Sequence, residues 1–375
     1  MKKYFAALSM LVGTIIGVGM FGLPYVTSQV GFGPVIFIYF PILGLVVLTV
    51  HLIYGEICLR TDGFHRLPGY SKIYLGKKGE IVAIISAIIG FIGSLLAYLI
   101  LGGQFLANLL TPILGGNELV YVLTFFALGS LIIYLDNKGI AQAEFYSLIL
   151  LFAALIFLVI KGAPAINTTN LLTNNFLEPF LPYGVILFSL GGLSVIPELE
   201  DLLAGKTNKL KNIIITGTLI PIITYIIFIA LVLGVNGANT TQDALTGLKT
   251  VLGPNILIAG FIFGVMATFT SFLTVGQTLK EVLRYDLKFS HFSSWVIACF
   301  IPLLLYLAGL KNFVSIIGFV GAITIATDGV LIFLIYLKAK KSGTVKPDYQ
   351  LNIPNFISYL VIIMFLAGAV LEIIK

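Results

Sequence analysis

The chain predicts an all-helical membrane protein of about eleven transmembrane spans, built as a 5+5 inverted repeat with broken spans 1 and 6 plus one peripheral helix. Three observations carry this. Hydrophobic residues make up 59% of the chain and charged residues only 10%, with a mean hydropathy of +1.08, whereas a soluble domain holds roughly 25% charged residues. The charges bunch between apolar runs of about 20 residues, enough to cross a hydrocarbon core of about 30 Å at about 1.5 Å rise per residue. A glycine–proline pair recurs in register in two of those runs. Lipid offers no partner to exposed backbone groups, so the runs must be helices.

The predicted spans are 5–28, 34–59, 81–110, 118–135, 141–161, 180–204, 211–235, 253–283, 290–309, 313–337 and 353–373. The first is not a cleaved signal peptide, because it is long, holds internal glycines and Pro24, and leads at once into another span. With the N-terminus placed in the cytoplasm, only Lys161, Lys249, Lys311 and Lys375 of the 22 lysines and arginines fall outside. That bias predicts an inner-membrane, multi-pass protein with N-terminus in and C-terminus out. It also assigns the +6 net charge to topology and anionic lipid heads rather than to nucleic acid. Cys58 and Cys299 read as small apolar core residues.

Self-similarity sets the architecture. Gly19 and Pro24 recur as Gly192 and Pro197, an offset of 173 residues that also carries the starts of spans 4 and 5 onto those of spans 9 and 10. Repeat one covers about 5–161, repeat two about 180–337, and the helix at about 353–373 lies outside them, all within a single transmembrane domain. Five spans is an odd number, so the second repeat enters the membrane upside down. Inverted repeats with an interrupted first helix in each half imply a secondary transporter with its site at mid-membrane between the breaks.

The first break reads Gly13-Thr14-Ile15-Ile16-Gly17-Val18-Gly19-Met20-Phe21-Gly22-Leu23-Pro24. Gly17 and Gly19 are expected to let the backbone leave helical geometry without a Cβ penalty. Unwinding frees carbonyls that suit an ammonium group or a sodium ion, and amides on a positive dipole end that suit a carboxylate. The second break, Phe188-Ser189-Leu190-Gly191-Gly192-Leu193-Ser194-Val195-Ile196-Pro197, adds carbonyls and two hydroxyls. No charged side chain lies in either break, which favours a neutral solute. In span 8 the Ala267 carbonyl and the Thr270 and Ser271 hydroxyls lie one helical turn apart, a spacing that converges on a hard cation. Phe21, Phe188 and Phe269 are candidate lids.

The stretch from Gly13 to Tyr25 resembles the first helix of amino acid permeases of the amino acid–polyamine–organocation superfamily. Glu56, Tyr70-Ser71-Lys72, Leu75-Gly76-Lys77-Lys78-Gly79 and Ile196-Pro197-Glu198-Leu199-Glu200 resemble the amino acid/auxin permease family within it. The resemblance covers spans 1 to 10 and implies a leucine-transporter-type fold. It implies that amides near Val18 and Gly19 hold a substrate carboxylate and that the carbonyls of Ile15, Phe188 and Ser189 take its amino group. Gly17 and Gly191 belong to the same site, and the Tyr98 hydroxyl is placed near the carboxylate. It further implies a sodium site made of the Gly13, Ile16 and Ala267 carbonyls with the Thr270 and Ser271 hydroxyls. Some relatives put a lysine of span 5 at that site; the middle of this span, 148–158, holds none.

Asp328 is the charged residue that most needs a reason, about ten residues before Lys338 and deep in span 10. It reads as proton carrier, gate or structural hydrogen-bonding group. Glu56 is expected to pair with Arg60 at the membrane interface, and Glu198, with Glu200 and Asp201, reads first as a solvated acidic end of span 6 and second as an inner gate with Lys2 or Lys3. His51, His65 and His291 are far apart and no nucleophile–base constellation is present, so neither an enzyme nor a cofactor is predicted. The reading is a symporter that carries a small neutral amino acid by alternating access, with sodium as coupling ion. Two alternatives are a proton-coupled permease using Asp328 and a non-transporting amino acid sensor; the oligomeric state stays open.

Overall fold

Every predicted apolar run forms a helix in the computed structural model, which describes residues 2–136, 140–174, 177–203 and 207–374, without the side chains of residues 2 and 140–145. Span 1 is broken into 1a (Lys2–Ile15) and 1b (Gly19–Val30), bent by 49°. Spans 2 to 5 are Phe32–Arg60, Lys77–Leu114, Glu118–Tyr134 and Ile140–Gly162. Span 6 is broken into 6a (Leu181–Ser189) and 6b (Ile196–Leu202). Spans 7 to 11 are Leu210–Asn236, Pro254–Asp286, His291–Leu307, Phe313–Ser342 and Asn355–Ile374.

Local chemistry explains where several spans start. Asn117, Ser290 and Asn312 sit in extended conformation before spans 4, 9 and 10, and their side-chain oxygens accept from the Val120, Ser293 and Ser315 amides. Each satisfies a donor that a helix start leaves open. Pro182, Pro197 and Pro254 occupy first-turn positions, where the missing N–H costs nothing.

Span 8 lies along span 3 and span 5, and span 3 packs on span 4; 1a lies against span 7, 1b against 6a, and span 10 against spans 2, 6a and 11. Spans 6a and 10 meet backbone to backbone. A Cβ on Gly184 would overlap the Gly318 carbonyl, and a Cβ on Gly321 the Gly184 carbonyl. Lipid tails give helices no hydrophobic reason to associate, so close approach through small residues does that work. At this contact span 10 widens into a turn of i→i+5 type over Gly321–Ile325.

Arg60, Arg66, Lys77, Lys280 and Lys340 share one end of the bundle, hereafter the basic end. There the connection between spans 10 and 11 runs back as a strap. The Thr344 amide donates to Arg60 O (2.9 Å), the Tyr349 hydroxyl to Leu52 O (2.7 Å), and the Leu351 amide to Glu56 Oε2 (2.6 Å). Tyr336 and Lys340 of span 10 donate to Leu351 O and Ile353 O. The expected Glu56–Arg60 pair is present at 2.7 Å, but the Glu56 side chain is fully buried rather than interfacial. Its second oxygen takes an amide from 295 residues away, a partner that no local spacing reveals.

A second tie at the basic end joins spans 4, 8 and 9. Lys280, only 1% exposed, donates to Ile133 O and to Asp136; Gln277 reaches the same carboxylate at 2.9 Å and His291 at 3.3 Å. Trp295 donates to Ser130 O at 2.8 Å beside them. The Lys280 hydrogen bond, helped by that from Gln277, holds the Asp136 carboxyl down to about 2.

Two outcomes follow. Gly321→Ala is expected to drive spans 6a and 10 apart and lower stability by about 1–3 kcal/mol, the usual cost of overpacking, read as thermal unfolding in detergent. Asp136→Asn is expected to destabilise the protein at neutral pH by less than the roughly 3–5 kcal/mol of a fully buried pair, since the carboxylate is 44% exposed. The depressed carboxyl stabilises the fold above its unfolded value near 4 and loses that contribution as pH falls toward 2. The gap between the two proteins should therefore close over that window; a constant gap from pH 7 to pH 2 would refute the assignment.

Candidate functional site

Both breaks open onto one cavity of about 310 Å³. In the first, helical bonding stops at Ile15. The Gly17 amide turns to Ile15 O (2.9 Å) and the Met20 amide to Gly17 O (3.3 Å), so the Gly13 and Ile16 carbonyls lose their helical donors. No backbone carbonyl accepts from the Val18 or Gly19 amide among the described residues. In the second, span 6a ends at Ser189, whose hydroxyl folds back on Val185 O (2.7 Å), and the chain resumes helical form at Ile196.

The breaks touch. A Cβ on Gly19 would lie 2.6 Å from Ser189 Oγ and 2.8 Å from Ser189 Cα. Neither Gly17 nor Gly19 has a positive φ. The backbone leaves helical bonding at Gly17, as expected, without a positive φ. Gly19 is there to let span 6 approach, and Gly17 faces the Tyr98 hydroxyl, 3.9 Å from where its Cβ would stand.

Tyr225 of span 7, missed in the sequence, bridges the breaks. Its hydroxyl reaches Ile15 O at 2.6 Å and Ser189 O at 2.8 Å, deep in the interior. Its single hydrogen is shared between the two carbonyls, and Ile15 O also accepts the Gly17 amide. The only hint was a polar Thr224-Tyr225 step in an apolar run.

Ile15, Gly17, Val18, Gly19, Tyr98, Phe188, Ser189 and Gly191 all line the cavity. The walls toward the basic end add a small-residue face of span 3 (Ala83, Ser86, Ala87, Gly90, Ser94) and hydroxyls of spans 1a, 8 and 10. Asp328 lines it at depth, with Oδ1 buried and unpartnered. At the mouth Glu198 lies 3.7 Å from Arg66, both partly exposed, and not beside Lys3; the Lys2 side chain lies outside the described residues. Toward the other end the cavity is shut. Phe21 of 1b packs against Phe105, Phe263 and Phe228 with centroids 5.0, 6.0 and 6.1 Å apart, all four buried. Phe269, a candidate lid, instead packs edge-on against Phe125 at 5.2 Å.

A second, smaller cavity of about 20 Å³ lies beside the first and shares Gly13 and Ser271 with it. Its walls include Gly13, Ile16, Ala267, Thr270 and Ser271, together with Ser147, Leu148 and Leu151 of span 5. The Thr270 hydroxyl donates back to Met266 O (3.0 Å) and Ala267 O (3.3 Å), which leaves its oxygen lone pairs for the cavity. The donor set is neutral oxygen throughout, suited to a hard monovalent cation. The space holds one ion or one water.

An all-helical membrane bundle with two broken spans meeting over a mid-membrane cavity defines a permease of leucine-transporter-type fold. The crystal structure of MhsT in complex with L-phenylalanine has that fold, with a TM-score of 0.61 over 97% of this chain and 98% of that one, at 15% identity. The chain belongs to the tryptophan/tyrosine permease family, whose model matches residues 1–373. This replaces the narrower amino acid/auxin resemblance while keeping the amino acid permease class, since broken-helix motifs mark the superfamily rather than one branch. Relatives include tyrosine-specific transport system 1 of Haemophilus influenzae, 25% identical over 345 residues, covering 86% of this chain and 84% of that protein. Another is glutamine transporter 2 of Aliivibrio fischeri, 24% identical over 341 residues and 86% of each chain. The family is one of permeases, not enzymes.

Tyr225→Phe is expected to leave the Ile15 and Ser189 carbonyls without this donor and to cost about 1–3 kcal/mol of stability in thermal unfolding. An unchanged unfolding temperature would remove Tyr225 as the bridge.

Proposed function

We propose that the protein is a sodium-coupled symporter of a small neutral amino acid, working by alternating access in a cell inner membrane. The observation that carries this is the pairing of cavities. One, lined by the two breaks, offers amides and carbonyls to the two ends of a zwitterion, with no charged side chain in either break. The other, sharing Gly13 and Ser271 with it, offers oxygens to one cation. A solute and an ion that touch the same residues favour the same state, which coupling requires. The relatives' names mention tyrosine and glutamine, both neutral, in keeping with a neutral solute.

With the N-terminus in the cytoplasm, the basic end is the inner end. The state described is then open inward: the mouth at Arg66 and Glu198 faces the cytoplasm and the Phe21 cluster closes the outer path. One sodium entering across 100 mV releases about 2.3 kcal/mol. With an equal concentration term that sustains on the order of a thousandfold gradient of a neutral solute.

Asp328 supports a second reading, coupling to protons, because its Oδ1 is buried and unpartnered on the wall of the path. Uptake by proteoliposomes separates the two. A panel of alanine, serine, glutamine and tyrosine is offered under a sodium or a proton gradient, with Thr270→Ala and Asp328→Asn alongside. The sodium reading expects sodium-driven uptake whose half-saturating sodium rises at least tenfold in Thr270→Ala. Proton-driven, sodium-indifferent uptake that is lost in Asp328→Asn would replace it.

A further inference from the structure

We infer that Ser147 of span 5 supplies a sixth oxygen to the ion site formed by Gly13, Ile16, Ala267, Thr270 and Ser271. The inference rests on the sodium reading and deepens it. The resemblance that implied the other five donors gives span 5 no oxygen ligand, only a lysine in some relatives, which the middle of this span lacks.

Ser147 is only 5% exposed, and its Oγ is buried with no hydrogen-bond partner. Hydroxyls within membrane helices ordinarily bond back to a carbonyl three or four residues earlier. Thr14, Thr27, Thr224, Thr268 and Thr324 all do so here, at 2.7–2.8 Å. Ser147 does not; Ser71, Ser294 and Ser358 also lack a partner, but of these four Ser147 is the one that lines the 20 Å³ cavity that the five predicted donors line. A buried hydroxyl left unpartnered costs about 1–3 kcal/mol, so its presence asks for a reason. Leu148 and Leu151, the other described span 5 residues on this wall, are apolar, so among the described residues Ser147 is the donor that span offers.

The geometry has a mechanical meaning. Gly13 and Ile16 belong to span 1, and Ala267, Thr270 and Ser271 to span 8. With Ser147 added, an ion in the cavity ties three spans together rather than two. Its departure then releases span 5 from span 1 as well as span 8 from span 1.

The test reads ion binding on the purified full chain without transport. Thermal unfolding in detergent is followed against sodium concentration, with choline holding ionic strength constant, and repeated with lithium. Ser147→Ala is expected to raise half-saturating sodium at least fivefold and to narrow the preference for sodium over the smaller lithium. The ion-free variant should be at least as stable as the parent, because an unpartnered hydroxyl has been removed. Ser147→Cys, close in size but with a soft sulfur, should show the same loss, and Ser147→Thr should keep the parental response. Parental sodium half-saturation in both Ser147→Ala and Ser147→Cys would overturn the inference and leave the five-donor site standing. Loss of folding in both would mark the hydroxyl as structural and overturn it too. An unmodified protein whose unfolding responds to amino acid but not to sodium would take the sodium reading down with it.

Discussion

The contact between Gly19 and Ser189 is the constraint on which the rest of the site depends. Two helices that each lose their hydrogen bonding at mid-membrane present orphan backbone groups where no bulk water can reach them, at several kcal/mol apiece. Bringing the breaks so close that Gly19 has no room for a Cβ beside Ser189 lets one hydroxyl, that of Tyr225, serve Ile15 and Ser189 together. The remaining groups face the cavity instead of lipid. Irregular backbone is tolerated at this depth because it lines a polar cavity.

From that contact the two cavities follow. The redirected Gly17 and Met20 amides leave the Gly13 and Ile16 carbonyls without helical donors, on the side where span 8 brings Ala267, Thr270 and Ser271. The same turn aims the Val18 and Gly19 region at the larger cavity. The second unwinding therefore cannot shift relative to the first without disturbing both. Above them the aromatic cluster around Phe21 and the backbone contact of Gly184 with Gly318 and Gly321 close one end through close packing.

The spans and their breaks were legible because the bilayer imposes a length and a polarity that composition alone records. The predicted boundaries lie within five residues of those observed at every end. All thirteen residues assigned to substrate and ion line one of the two cavities. What stayed hidden depends on helix rotation or on distant chain. Tyr225 and Ser147 look like ordinary polar residues of apolar spans until their faces are known. Glu56 was placed at the interface because its i+4 arginine is visible in the sequence, while the Leu351 amide that allows its burial is not. At Gly19 the closeness of Ser189, which the sequence does not show, excludes a side chain.

The strap from Thr344 to Ile353 fixes the basic end of span 2 to span 10 through the Arg60 and Leu52 carbonyls and the Glu56 carboxylate. A rod anchored at one end can only swing, and its tip travels in proportion to its length. Span 2 has 29 residues, so its far tip stands roughly 40 Å from that anchor at about 1.5 Å per residue. A tilt of about 10° about the strap would carry the tip through roughly 7 Å while the anchored end barely moves. In that geometry the strap would act as a fulcrum, converting a small angular change at the basic end into a displacement of amino acid width at the far tip.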